Sequence, residues 1–413
     1  MKRAVVVGGD GRAHALAHVL GRSCAEVVVS GGNPGIPSAT TTPPESLDGD
    51  LFVISAEAPL VDGLADRLRA QGKLVYGPGA DGARLEGSKA WMKEVVAAAG
   101  VPTARYEAFD EIEPALDFLR SLPPPYVVKT DGLAAGKGVL VTESLVDAEE
   151  DVKAKLAGVS FGAAGRTIVI EEGMTGPELS VFAVCDGTNA VALAPAQDFK
   201  RALDGDRGPN TGGMGAYSPV AFAPSELVDD VIERFVHPTL AALRARGIDY
   251  RGTLYAGLML TPDGPKLVEY NVRFGDPEAQ VVLTRLTSDL AELLAAAAAG
   301  AVGNAAAVTF TDDAAVCVVA ASPGYPDDPQ TGLPIDGLDA ELDGAVVFCA
   351  GVGETADGRL VTAGGRVLDV VGFGPTVAAA RARAYAGIAK VTFPGMHVRN
   401  DIAAAAARHE REA

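Results

Sequence analysis

Residues 127–141 read VVKTDGLAAGKGVLV, two short apolar runs joined by a glycine-rich segment that has a lysine on either side. The segment is not a Walker A loop, because Gly138 stands where Ser or Thr is needed and a strand follows where a helix should begin. A strand, a glycine loop and a second strand describe a hairpin flap. Since glycines let backbone N–H groups approach phosphate oxygens closely, the pattern predicts a phosphate-binding flap flanked by Lys129 and Lys137.

The N-terminal segment alternates strand-like runs with helical patterns. RAVVVGG is followed by the helical RAHALAHVLG, and EVVVS, LFVISAE and KLVYGPG read as further strands, with the helical PLVDGLADRLRAQG before the last. Such alternation predicts a parallel sheet flanked by helices. We therefore expect residues 1–102 to form an N-terminal α/β domain.

The pattern changes after residue 102 to strand pairs. We expect antiparallel pairing of YVVKT with GVLVTE, of RTIVIEE with LSVFAVCDG, and of GTLYAGLMLT with KLVEYNVRF. A third region begins near residue 312 and ends in the helix TVAAARARAYAGIAK. The chain therefore combines α/β with α+β organisation.

Composition limits the possible partners of this chain. It has 413 residues, 48% of them apolar, and a formal net charge of -19, which argues against nucleic acid or an anionic membrane as a partner. MKRAVVVGG lacks a signal-peptide pattern, and the longest apolar run is mostly alanine and contains Glu292. The scattered cysteines, Cys24, Cys185, Cys317 and Cys349, fit buried positions in a reducing compartment. We expect a cytoplasmic protein.

A first glycine loop, GGDGRAHAL, follows a strand and opens a helix. Gly9 and Gly11 fit the first two glycines of the dinucleotide fingerprint, but His14 stands at the third position. The second strand also ends without an acidic residue for a ribose, so NAD is not expected. Glycines before a helix N-terminus suit a single phosphate, because free N–H groups point outward there. A tight turn without a ligand is the alternative.

The stretch KLVEYNVRFGDPE carries an unusual polar face. On a strand, residues two apart point the same way, so Glu269, Asn271 and Arg273 share one face while Val268 and Tyr270 point into a core. Carboxylate and amide oxygens are hard ligands suited to Mg²⁺ or Mn²⁺. A guanidinium in the same row can bind a carboxylate or phosphoryl group through two hydrogen bonds. A solvated polar face is the alternative.

Several long motifs occur in the order found in one enzyme family. LEGSKA, KTDGLAAGKGV, GPNTGGMGAYSP, LYAGLM and EYNVRFGDPE resemble the phosphoribosylamine–glycine ligase (glycinamide ribonucleotide synthetase) family of the ATP-grasp superfamily, and the resemblance continues to RNDI near the C-terminus. It implies that glycine and ATP form glycyl phosphate and ADP, and that the amine of 5-phosphoribosylamine then attacks the acyl carbon. The product is glycinamide ribonucleotide, in de novo purine synthesis. ATP is needed because oxide is a poor leaving group and phosphate a good one.

The resemblance also implies the domain organisation. The N-terminal parallel α/β domain covers 1–102, and an ATP-grasp domain covers 103–311, with an antiparallel lid subdomain at about 123–190. A C-terminal α+β domain covers 312–413. We expect a monomer or weak homo-oligomer that acts on small molecules.

The motif matches assign roles to individual residues. Contacts to ATP are implied for Lys89, Lys129, Gly132, Gly136, Lys137, Gly138, Glu171, Glu172 and Glu178. The catalytic residues are expected to be Arg273, Lys129 and Asp198, and the Mg²⁺ or Mn²⁺ ligands Glu269 and Asn271. Contacts to glycine or phosphoribosylamine are implied for Gly9, Gly11, Arg12, Glu57, Pro59, Lys200, Asn210, Gly212, Gly213, Met214, Gly215 and Asp276.

Some positions depart from the family pattern and keep two alternatives open. The departures are Ala13 for glutamate, Ser55 and Ala56 for Gly-Pro, Gly173 for phenylalanine, Pro177 for an acidic residue and Phe199 for histidine. Since several of them lie on the expected substrate side, a ligase for another carboxylate and amine is one alternative. A non-catalytic nucleotide sensor is the other, although Glu269, Asn271 and Arg273 argue against it.

Overall fold

The N-terminal region forms the expected parallel sheet in the computed structural model, which describes residues 1–133, 138–158 and 166–412. Its strands are β1 (Arg3–Val7), β2 (Glu26–Ser30), β3 (Ala39–Thr40), β4 (Leu51–Ile54) and β5 (Val75–Tyr76). They pair in parallel in the order β3-β2-β1-β4-β5. Its helices are α1 (Gly11–Leu20), α2 (Glu57–Val61), α3 (Leu64–Ala70), α4 (Ala80–Gly87) and α5 (Lys89–Ala98). The single helix predicted in PLVDGLADRLRAQG is divided into α2 and α3, because Gly63 adopts a left-handed backbone.

A separate small core forms the lid. It contains β6 (Tyr106–Phe109), α6 (Ile112–Arg120), β7 (Tyr126–Thr130), β8 (Val139–Thr142), α7 (Leu145–Leu156) and β9 (Ile168–Glu172). The strands form an antiparallel sheet in the order β6-β9-β7-β8, with apolar side chains of α6 and α7 buried against it. The predicted β7–β8 hairpin is confirmed. Its tip residues Gly136 and Lys137 lie outside the described residues.

The central sheet carries the strand with the polar face. It consists of β10 (Glu178–Asp186), β11 (Ala190–Ala192), β16 (Arg251–Thr261) and β17 (Gly264–Asn271), in the order β11-β10-β16-β17. The pairing of β16 with β17 is confirmed. The predicted pairing of RTIVIEE with LSVFAVCDG is wrong: β9 pairs within the lid, and β10 pairs along its whole length with the longer β16. The intervening GMTGP carries the chain from one sheet to the other.

Two further expectations about the polar strand need correction. β17 ends at Asn271, so Arg273 lies in the segment beyond the strand. The register also shifts, since Gly257 pairs with Glu269 while Leu258 pairs with Leu267. Next to this irregularity Val268 is only half-buried and does not join the core, whereas Tyr270 is buried in the core as predicted.

A further five-stranded sheet combines strands from the middle of the chain with strands from its C-terminal region. Its strands are β12 (Gln197–Asp198), β15 (Gly215–Ser218), β18 (Ala314–Ala321), β19 (Ala345–Cys349) and β22 (Arg366–Gly374). They lie in the order β12-β15-β18-β22-β19 and all neighbours are antiparallel. Two small hairpins accompany it, β13 (Arg201–Leu203) with β14 (Arg207–Asn210), and β20 (Val352–Glu354) with β21 (Leu360–Thr362).

The remaining helices pack around these sheets. They are α8 (Ser225–Val231), a π-helical turn (Ile232–Val236), α9 (His237–Ala245), α10 (Glu278–Arg285), α11 (Leu290–Ala298), α12 (Val377–Ile388) and α13 (Ala404–Glu412). Short 3₁₀ turns lie at Pro44–Ser46 and Val302–Asn304. The C-terminal region therefore continues past the predicted last helix, and Glu410 of α13 accepts the N–H groups of Val377 and Ala378 at the start of α12. Among the helices described, none has the length and apolar character needed to cross a membrane.

Candidate active site

A cleft of about 920 Å³ lies where the four parts of the fold meet. The N-terminal region contributes Arg12 and Glu57, the lid contributes Lys129, the central sheet Glu269, and the C-terminal region Arg366. Both apolar and strongly charged side chains line it, which is typical of a site that binds charged small molecules.

Most residues that the sequence assigns to a site line this one cleft. They are Arg12, Glu57, Lys89, Lys129, Gly132, Gly138, Glu171, Glu172, Glu178, Asp198, Lys200, Asn210, Gly212, Glu269, Asn271, Arg273 and Asp276. Within the described part of the chain, Gly9, Gly11, Pro59, Gly213, Met214 and Gly215 do not line it. Met214 is instead completely buried.

Two lysines lie at the lid side of the cleft. Lys89 is the first residue of α5, where Ser88 caps the helix, and its Nζ donates to the carbonyl of Gly132 at 3.3 Å. Lys129 lies at the end of β7 near the base of the flap, and its Nζ donates to the carbonyl of Val268 at 3.3 Å. Both cations therefore lie between the flap and the polar strand β17.

Lys129 belongs to a buried chain of charges. Its Nζ lies 2.9 Å from Oε1 of Glu171, and Oε2 of the same carboxylate lies 3.1 Å from Nζ of Lys93. Lys93 is fully buried and also donates to Thr103 Oγ1 at 2.7 Å. Burial lowers the pKa of Lys93 to about 8 although Glu171 opposes the shift. The sequence analysis missed Lys93, whose position one helical turn after Lys89 was the available signal.

The polar strand places Glu269 among cations. Burial favours the neutral acid, but Lys129, Lys200, Lys89 and Arg273 together lower the pKa of Glu269 below its ordinary value. The carboxylate is therefore ionised at neutral pH. No cluster of three or more His, Cys, Asp or Glu side chains suited to a metal ion occurs within residues 1–133, 138–158 and 166–412.

Arg273 is held by two carboxylates on the N-terminal side. Its Nη2 lies 2.6 Å from Glu86 Oε1, and its Nε lies 3.2 Å from Glu57 Oε2. Arg12 also approaches Glu57, at 3.5 Å. Burial opposes ionisation of Glu57, but Arg273 and Arg12 lower its pKa to about 2. Glu86 was missed, although it lies in the LEGSKA motif; its second oxygen accepts the N–H of Val272.

The opposite side of the cleft contains a second group of charges. Lys200 bonds to the carboxylate of Glu178, and its Nζ lies 3.7 Å from Asp198 Oδ2. Tyr255 donates to Glu278 Oε1 at 2.6 Å. Burial, together with the nearby Glu278 and Glu178, raises the pKa of Asp198 to about 7 against the effect of Lys200. A carboxyl group with such a pKa exchanges protons near neutral pH.

Asp276 lies in a network with the C-terminal region. Arg366 Nη2 lies 3.3 Å from Asp276 Oδ2, and Gln280 donates to Asp276 Oδ1 at 2.8 Å. The same Gln280 amide donates to Asp369 Oδ2 at 2.8 Å, where Asp369 is fully buried. Arg366 and Asp369 were both missed; the signal for Arg366 was the GGR in AGGRVLDV.

The first glycine loop packs tightly against this network. Asp10 caps α1 by accepting the N–H of Ala13 at 2.9 Å. A Cβ added to Gly11 would lie 1.8 Å from Asp369 Oδ2, so any side chain there would clash with a buried group. Glycine at position 11 is therefore required by packing.

The comparisons with known proteins agree over nearly the whole length of the chain. Models of the phosphoribosylglycinamide synthetase family match the N domain at residues 2–86, the ATP-grasp (A) domain at 87–279 and the C domain at 315–405. The phosphoribosylamine–glycine ligase of Caulobacter vibrioides is 45% identical over 96% of this chain and 97% of its own length. That of Streptomyces coelicolor is 46% identical over 98% and 99%.

Solved structures are similar over the same length. The phosphoribosylamine–glycine ligase of Thermotoga maritima is 37% identical, with a TM-score of 0.85 over 97% of this chain and 100% of that one. The biotin carboxylase domain of Hydrogenobacter thermophilus 2-oxoglutarate carboxylase has a TM-score of 0.69 at 16% identity, over 96% of this chain and 91% of that one. The second similarity concerns the fold alone.

Proposed function

Because the chain belongs to the phosphoribosylglycinamide synthetase family, it is an ATP-using ligase that makes glycinamide ribonucleotide in purine biosynthesis, and we propose that it does so through a glycyl phosphate. One observation carries the proposal: Lys89, Lys129, Lys200 and Arg273 line one cleft together with the Glu269 carboxylate. A cationic group of this kind stabilises the negative charge that a transferring phosphoryl group spreads over its oxygens.

The proposed reaction has two steps. A carboxylate oxygen of glycine attacks the γ-phosphorus of ATP, and ADP leaves. The amine nitrogen of phosphoribosylamine then attacks the acyl carbon, phosphate leaves with the former carboxylate oxygen, and the nitrogen loses a proton. Asp198, whose pKa burial raises to about 7, is the proposed acceptor of that proton.

Each side of the cleft receives a substrate in this proposal. Lys89, Lys129 and the flap hold the ATP phosphates, with Glu171, Glu172 and Glu178 at the adenosine end. Arg273 stabilises the developing acyl phosphate. Lys200, Asn210 and Gly212 with Asp276 face glycine and the amine, and Arg12 with Glu57 faces the sugar phosphate side.

The residues on β17 fit a divalent metal ion. The lysines and Arg273 keep Glu269 ionised, and Asn271, which can supply an amide oxygen, lies two residues further along the same strand and also lines the cleft. Two hard oxygen ligands suit Mg²⁺ or Mn²⁺, with water and phosphate oxygens as further ligands. When bound, the metal would neutralise charge on the ATP phosphates.

Isotope transfer tests the acyl phosphate. Glycine labelled with ¹⁸O in its carboxylate is incubated with the enzyme, ATP and phosphoribosylamine, and the inorganic phosphate is analysed by mass spectrometry. We expect one labelled oxygen per phosphate released. The second labelled oxygen stays in the amide carbonyl of the product in either case. Inorganic phosphate without label, with label found only in the product or in water, contradicts the proposal. ADP release with glycine and phosphoribosylamine, compared with other carboxylates and amines, tests the substrate assignment separately.

A further inference from the structure

We propose that Arg399 is a positioning residue that holds the β13–β14 hairpin over the cleft and thereby sets the binding of the substrates that accept the phosphoryl group and the acyl group. The inference rests on the proposed function for the identity of those substrates. Its structural basis is the RNDI motif, residues 399–402, which lies outside the cleft.

Arg399 is a fully buried arginine with every guanidinium nitrogen bonded. Its Nε and Nη2 each lie 2.8 Å from a carboxylate oxygen of Asp401, which is a two-bond arginine–carboxylate pair. Its Nη1 donates to the carbonyl of Arg201 at 2.9 Å and to Asp206 Oδ1 at 2.9 Å. The guanidinium also lies 5.2 Å from the centre of the Phe199 ring.

Residues close to Arg399 in the sequence also form hydrogen bonds with the β13–β14 hairpin. Asp204 in the turn of the hairpin accepts the backbone N–H of Asn400 at 2.8 Å and its side-chain amide at 3.2 Å. Asp401 accepts the N–H of Gly205 at 2.7 Å, and His397 Nε2 lies 2.7 Å from the carbonyl of Ala202. The C-terminal segment thus contacts strand β13 and the turn.

The hairpin needs such support. It is a two-stranded ribbon with a register irregularity, and isolated two-stranded hairpins are marginally stable in water. Asp206 in its turn has a positive φ of 52°, which disfavours a residue with a side chain. The hairpin nevertheless places Arg201, Asp206 and Asn210 in the cleft wall, on the side of Asp198 and Lys200. Its position therefore bears on the acceptor substrates more than on ATP.

Steady-state kinetics of Arg399→Lys test this inference. A lysine keeps the charge but cannot form the two-bond pair with Asp401 and reach the hairpin at once. We expect the KM for glycine and for phosphoribosylamine to rise by about tenfold or more, and the KM for ATP to stay within about twofold. Asp204→Ala, which leaves Arg399 intact, should raise the same two KM values by a smaller factor.

Arg381→Lys is the matched control. Arg381 donates to the carbonyls of Asn400 and Ile402 from α12, so it holds the same C-terminal segment without contacting the hairpin. Its KM values should equal those of the wild type. Equal changes for all three substrates, or equal effects of Arg381→Lys and Arg399→Lys, overturn the inference.

Hydrogen exchange distinguishes a failure of this inference from a failure of the proposed function. Peptides covering 201–210 should exchange about tenfold faster in Arg399→Lys than in the wild type, while the central sheet keeps its protection. If the wild type forms no glycinamide ribonucleotide, the proposed function fails, whereas unchanged exchange in 201–210 refutes the hairpin's dependence on Arg399. If Arg399→Lys does not fold, Asp204→Ala decides by the same two measurements.

Discussion

Replacing Glu171 with glutamine is expected to destabilise the protein through the two lysines that it pairs with. The carboxylate lies 2.9 Å from Lys129 Nζ and 3.1 Å from Lys93 Nζ, and none of the three side chains is more than 5% exposed. Glu171→Gln keeps the shape of the side chain, but the ammonium groups of Lys129 and Lys93 lose this negative partner at a site that water hardly reaches. The change therefore measures how strongly the buried charges depend on one carboxylate.

The stability lost in Glu171→Gln can be estimated from the separate costs at Lys93 and Lys129. Removing one partner of a buried ion pair costs about 3–5 kcal/mol. Lys93 can avoid much of this cost, because burial already lowers its pKa to about 8. Releasing a proton from such a group at pH 7 costs about 1.4 kcal/mol, and this cost is the upper limit for the share of Lys93. Lys129 keeps its bond to Val268, so we expect a total of about 2–4 kcal/mol.

The stability lost in Glu171→Gln should become smaller as pH rises. Without Glu171 the pKa of Lys93 falls further below 8 in the folded state, while an unfolded lysine keeps a pKa of about 10.4. A base with a lowered folded pKa stabilises the fold progressively as pH rises from the folded pKa towards the unfolded one. The Tm difference between Glu171→Gln and the wild type should therefore shrink between about pH 6 and pH 8.

Thermal unfolding of four variants tests this reasoning. In a double-mutant cycle with Lys93→Met, the double variant should lose less stability than the sum of the single variants, because the unpaired ammonium is absent. Glu172→Gln is the control: its carboxylate is 31% exposed and lies 3.4 Å from Lys266, so its loss should be below about 1 kcal/mol. A loss in Glu171→Gln no larger than this, or one that is independent of pH, refutes the buried-charge argument. Additive losses show that Glu171 and Lys93 are not coupled.

Four further substitutions test the cleft and the buried network beside it. Lys129→Ala should weaken ATP binding and turnover together by about 2–4 kcal/mol in transition-state terms, and wild-type kinetics would contradict its assignment. Glu269→Gln should weaken Mn²⁺ binding in the presence of ATP, measured by electron paramagnetic resonance, while Asn271→Asp keeps an oxygen ligand and should bind closer to the wild type. Burial and the nearby Asp276 raise the pKa of Asp369 to about 7, so the contribution of this carboxyl group to the stability of the wild type falls as pH rises from about 4 to 7. Asp369→Asn removes this penalty, and its Tm relative to the wild type should be higher at about pH 8 than at about pH 5; the reverse order would contradict a raised pKa.

The sequence alone determined the features that depend on near neighbours. Alternating strand and helix patterns in the N-terminal region predicted its parallel sheet, and the β7–β8 and β16–β17 hairpins follow from apolar runs separated by short polar or glycine-rich segments. The two-residue period of a strand also predicted that Glu269 and Asn271 share one face, and both residues line the cleft. These properties are set by residues that are close in the chain.

Only the tertiary structure decided the partners of residues far apart in the chain. Strand β10 pairs with β16, which comes from a later part of the chain, and not with β9, which directly precedes it. Lys93 and Arg399 look like surface charges in the sequence, yet both are fully buried. A long charged side chain is stable inside a protein only where opposite charges from other segments meet it, as Glu171 meets Lys93 and Asp206 meets Arg399. Since that meeting depends on the assembled fold, the spacing of Lys93 from Lys89 could place it near the cleft but could not identify Glu171 as its partner.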